Sequence, residues 1–126
     1  MNQGPTRKLT PIPSVMLVGV PEDLAAQCSE QLNPIPVMRV GHPAAAAQRV
    51  AVTRPLVMLV GEASAEEVEH LVDLGRGAGC EIVRVAELGA IAELPRRLEQ
   101  IAVSCARRRS GQFVAVEVQA SGTRHR

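Results

Sequence analysis

Tryptophan and tyrosine are missing from this 126-residue chain, and Phe113 is its one aromatic. A platform that stacks the bases of single-stranded nucleic acid has no raw material here. Lysine is as scarce, since Lys8 stands alone near the N-terminus, and aspartate occurs only at Asp23 and Asp73. Cys28, Cys80 and Cys105 are odd in number and far apart, with no CxxC or Cys/His cluster. That spacing argues against zinc and dithiol redox sites and suits small buried thiols in a reducing compartment. No stretch approaches the roughly 20 apolar residues that a membrane helix needs. The opening MNQGPTRKLTPIPS lacks the apolar run of a signal peptide. The expectation is a cytoplasmic protein that uses no metal, no cofactor and no membrane.

What is present suits one compact domain. Hydrophobic residues make up 46% of the chain, and the net charge is +1. That balance gives no overall attraction to nucleic acid. Charge is segregated, however. Glu62, Glu66, Glu67, Glu69 and Asp73 form an acidic stretch, and Arg96, Arg97, Arg107, Arg108 and Arg109 a basic one. Both read as solvated helix faces of opposite sign.

Residues 1–13 hold three prolines and Gly4 and read as a flexible leader. SVMLVGV (14–20) is a short, continuous apolar run, the mark of a strand buried on both faces. Pro21, Glu22 and Asp23 open a helix with the Leu24, Cys28, Leu32 stripe, which Asn33-Pro34 ends. PIPVMRV (34–40) is a second strand whose prolines suit a sheet edge. Gly41-His42-Pro43 turns into the alanine-rich helix 44–52. LVMLV (56–60) is the clearest strand, followed by a loop with Gly61 and Glu62. Ser64-Ala65-Glu66-Glu67 then matches a capping box, and Gly75, Gly77 and Gly79 end that helix. EIVRV (81–85) is a fourth strand, and a helix starting near Pro95 carries Leu94, Leu98, Ile101, Ala102 and Cys105 on one stripe. FVAVEV (113–118) reads as a fifth strand, and residues 119–126 as a disordered tail. Alternation of strand and helix predicts a three-layer, flavodoxin-like α/β sandwich over residues 14–118, with a mainly parallel five-stranded sheet in the order 2-1-3-4-5 and no regular final helix.

Over residues 14–118 this pattern resembles a bacterial receiver domain, the phosphoacceptor module of response regulators. RVGHPAAAAQRVAVTRPLVMLVGE is similar to the segment from the second strand of that family through the third. PLVMLVGEASAEEVEHLVDLGRGAGCEIVRVAELGAIAELPRRLEQI is equally similar to the C-terminal half, from fourth strand to fifth helix. On that second register one βα unit is missing upstream. Receiver chemistry needs carboxylates for Mg²⁺, an aspartate to accept the phosphoryl group, and a lysine to pair with it. Gly19-Val20 stands where the resemblance places the acid pair, and Gly61 where, on the first register, it places the phosphoacceptor. Glu62 beside it could supply a fixed charge. The lysine has no counterpart in the domain. The resemblance therefore implies a degenerate, pseudo-receiver domain that binds another protein of a signalling or localisation system, as a homodimer or with a different partner. The surface expected to carry that binding comprises Leu98, Ile101, Cys105, Arg108, Phe113, Val114 and Val116.

Other chemistry finds less support. LVGVPED is not a dinucleotide-binding fingerprint, and no Walker motif or G-x-S-x-G is present. His42 is the best isolated acid–base candidate, after the second strand. Arg107-Arg108-Arg109, Arg124 and Arg126 could meet phosphates, but no recognition motif accompanies them. A second reading is a small ligand-binding protein or enzyme with its site at the carboxyl edge of the sheet: Gly19, His42, Gly61, Glu62 and Ser64. There the backbone N–H groups near Gly19, Gly61 and the capped helix could hold an anion.

Overall fold

The computed structural model describes residues 13–120, with side chains described through residue 109. The expected leader and tail fall almost wholly outside these residues. Four strands form one parallel sheet: β1 (Val15–Val18), β2 (Val37–Val40), β3 (Val57–Val60) and β4 (Glu81–Arg84), in the order β2-β1-β3-β4. Helices α1 (Glu22–Leu32), α2 (Pro43–Thr53), α3 (Ala65–Ala78) and α4 (Leu94–Ala120) flank it, making a three-layer arrangement compatible with a flavodoxin-like fold. Two short 3₁₀ turns, Val85–Leu88 and Ile91–Glu93, join β4 to α4.

β1 and β3 are central, and every residue of both is buried. Their continuous apolar runs follow from having helices on both sides. Val15, Leu17, Val57 and Leu59 face α1 and α4, against Leu24, Cys28, Leu94, Leu98 and Ala102. Met16, Val18, Met58 and Val60 face α2 and α3, against Ala46, Val50 and Leu71. β2 lies at an edge, as its prolines suggest.

Two expectations are corrected. The stretch 113–118 is not a fifth strand; it continues α4. Handedness gives the reason. Right-handed crossovers put α1, which leads outward from β1 to β2, on one face, and α2 and α3, which lead the other way, on the opposite face. A fifth strand beside β4 would require α4 on the face of α2 and α3. Instead α4 packs on α1. The second correction concerns α3, which runs through Gly75 and Gly77 and ends at Gly79 in the left-handed conformation (φ 72°). Gly75 sits inside the helix because β4 passes close by: a Cβ there would lie 2.9 Å from Ile82 Cδ1.

Candidate functional site

At the carboxyl edge of the sheet, between β1 and β3, the strand order reverses. That switch point is where open α/β sheets place ligands. Here the ladder continues one residue past the strands. Gly19 N–H donates to Val40 O (2.9 Å), Gly61 N–H to Val18 O (2.8 Å), and Glu62 N–H to Gly19 O (3.3 Å). The two loops therefore touch through backbone. A Cβ at Gly61 would lie 2.3 Å from Gly19 O, and one at Gly19 would lie 3.2 Å from Glu62 O. Gly19 also takes φ 61°, a conformation that side chains disfavour.

These bonds bear on the donors expected for an anion. The Gly19 and Gly61 amides are spent on the sheet. At the start of α3, Glu67 N–H donates to Ser64 Oγ (3.1 Å), and Ser64 N–H donates to Glu67 Oε1 (2.8 Å). Ser64 is thus a helix cap, as its spacing predicts.

Around the glycine contact lies an open cleft of about 1050 Å³. Gly19, His42, Gly61 and Glu62 all line it, so the structure brings together four of the five edge candidates and leaves Ser64 to α3. Arg39, the penultimate residue of β2, also lines it and was not a candidate from sequence. It stands 3.8 Å from Glu22 of α1 in an exposed ion pair. Its signal was a lone charge in an otherwise apolar strand. Val20, Pro21, Leu24, Val85, Ala86 and Ile91 give the cleft an apolar wall. Among the described residues, no three His, Cys, Asp or Glu side chains are grouped to hold a metal ion.

Within the expected interaction surface, the three apolar residues whose side chains are described turn inward. Leu98 is fully buried, Cys105 nearly so, and Ile101 half-buried against the same core. Their stripe closes α4 onto the domain, which is why it reads as apolar. Arg108 is exposed but donates to Glu81 Oε1 (3.1 Å) and to Cys105 Sγ (3.2 Å). Phe113, Val114 and Val116 lie on α4 beyond the described side chains. Arg109, named beforehand only within the basic run, donates to Arg54 O (3.1 Å), Pro55 O (2.9 Å) and Gly79 O (3.1 Å), tying α4 to the opposite, amino edge of the sheet.

Burial pushes the Cys28 thiol up to about 11 and the Cys80 thiol up to about 12, with Arg109 lowering the latter only in part. Cys105 is raised too, by burial first and by Glu81 second. Thiols held protonated in this way are poor nucleophiles. No helix among the described residues is long and apolar enough to cross a membrane. The sequence matches no family model, no curated protein and no solved structure.

Proposed function

We propose that this chain is a receiver-like α/β module that takes no phosphoryl group on aspartate and works by binding another protein of a signalling or localisation system, a second copy of itself being one such partner. The observation that carries the reading is the backbone contact of Gly61 with Gly19. On the first register Gly61 occupies the phosphoacceptor position, and no side chain fits there while Gly19 O lies 2.3 Å from the site of its Cβ. On the second register one unit is lacking. Removing the third strand from the order 2-1-3-4-5 leaves an order equivalent to the observed β2-β1-β3-β4, with the last helix on the face of α1. The position is then gone together with its strand. Both registers support the same chemistry: a retained scaffold without the carboxylates and lysine of phosphotransfer. No cofactor enters this reading.

Two measurements test it. Incubation with acetyl phosphate and Mg²⁺, followed by intact-mass analysis, should show no phosphorylated species; a stable acyl phosphate on any carboxylate defeats the proposal. Sedimentation over a wide concentration range, with and without candidate partners recovered from the native cell, should show a saturable complex. A chain that stays monomeric and binds none of them removes the interaction half of the reading.

A further inference from the structure

The cleft at the carboxyl edge holds charges of both signs. Arg39 is the penultimate residue of β2 and Glu62 follows β3, with β1 between them. Arg39 is level with Leu17 and Leu59, three residues short of Glu62, so two inter-strand steps and that offset set their backbones roughly 14 Å apart, a span for two long side chains and a small ligand between them. The Gly19–Gly61 contact lies between them, and its amides are already bonded. The wall is apolar, and Ile91 on it is 56% exposed, one of two large apolar side chains left so open among the described residues. A simple anion here would face Glu62, and a simple cation would face Arg39.

We propose that this cleft binds a small zwitterion with an apolar side chain, of amino-acid or dipeptide kind. The carboxylate pairs with Arg39, the ammonium pairs with Glu62, and the side chain lies against Val20, Leu24 and Ile91. Arg39 now pairs with Glu22 at 3.8 Å, both side chains more than half exposed. An exposed pair of that sort contributes little, so a ligand carboxylate in better geometry displaces Glu22 readily. His42, on the same rim, adds a ring N–H donor for the carboxylate. The cleft volume of about 1050 Å³ accommodates a dipeptide as well as a single amino acid. The inference stands apart from the protein-binding reading, and its failure bears on the cleft alone.

The test is an NMR titration of the isotope-labelled full chain with L-leucine and with Leu-Leu. Isocaproate, which lacks the ammonium, and leucinamide, which lacks the carboxylate, are titrated beside them. Amide shifts are expected at Gly19, Gly41, Glu62 and Ile91 with the zwitterions, and the half-molecules should bind at least about tenfold more weakly. R39Q should weaken leucine about tenfold without weakening leucinamide, and E62Q should weaken leucine without weakening isocaproate. Both side chains are exposed, so both variants should fold, as circular dichroism would verify. The tighter of leucine and Leu-Leu identifies the natural source. Half-molecules that bind as well as leucine, shifts confined to other surfaces, or no shifts at millimolar ligand would each overturn the proposal.

Discussion

Gly61 and Gly77 show how the same residue type answers to different surroundings. At Gly61 a methyl group would meet Gly19 O at 2.3 Å, an atom fixed in the sheet ladder. Gly61→Ala should cost about 3 kcal/mol, at the upper end of overpacking effects. At Gly77, inside α3, a methyl group meets nothing within 4 Å. Gly77→Ala should therefore stabilise, by about 0.8 kcal/mol of helix propensity. Urea unfolding of the two variants should give opposite signs. The cysteines make a separate prediction at this scale. Burial raises Cys28 and Cys80 from 9.0 to about 11 and about 12, so as pH rises the unfolded chain loses its thiol protons first. Their contribution is whole below pH 9.0 and is lost as pH climbs through about 11 and about 12. Urea midpoints should hold steady near neutral pH and decline above 9.0, and Cys28→Ala should shrink that decline whatever it does to the midpoint at neutral pH.

Among the elements, α4 depends most on a single side chain. Arg109 gathers the carbonyls of Arg54, Pro55 and Gly79, where α2 and α3 have just ended. A guanidinium at helix C-termini is favoured by the dipole as well as by the bonds. Arg109→Gln should cost about 2 kcal/mol, with faster hydrogen exchange in the last described turns of α4, whereas Arg107→Gln should be nearly silent. Ser64→Ala should cost about 1 kcal/mol by unmaking the α3 cap. The cap was legible in sequence because its chemistry is complete within four adjacent residues. β1 and β3 were legible for a similar reason: a strand covered on both faces is apolar throughout. FVAVEV was misread because local alternation and β-branched residues suggest a strand, while the face on which α4 packs decides otherwise. The interaction stripe was misread because apolar spacing on a helix does not distinguish a surface awaiting a partner from one already closed against α1.

For the whole molecule, the described contacts of α4 with the domain reach Arg109 and the amino edge of the sheet. A chain ending after residue 110 retains each of those contacts. Sedimentation of the two lengths would then report whether residues beyond that point carry self-association; the interaction reading expects the shorter chain to be monomeric. The carboxyl edge was only half legible at this scale. Gly19, His42, Gly61 and Glu62 could be placed there from strand and loop order alone. That Gly19 and Gly61 meet could not, because their contact joins segments far apart in sequence. Arg39 was missed because its importance comes from its place beside β1 and α1. The Gly19–Gly61 contact has a kinetic consequence. Backbone bonds past the strand ends weld β2, β1 and β3 together at the mouth of the cleft, so the two halves of the domain have no hinge there. A visitor should arrive on a preformed floor in a single encounter, without waiting for a gate to open.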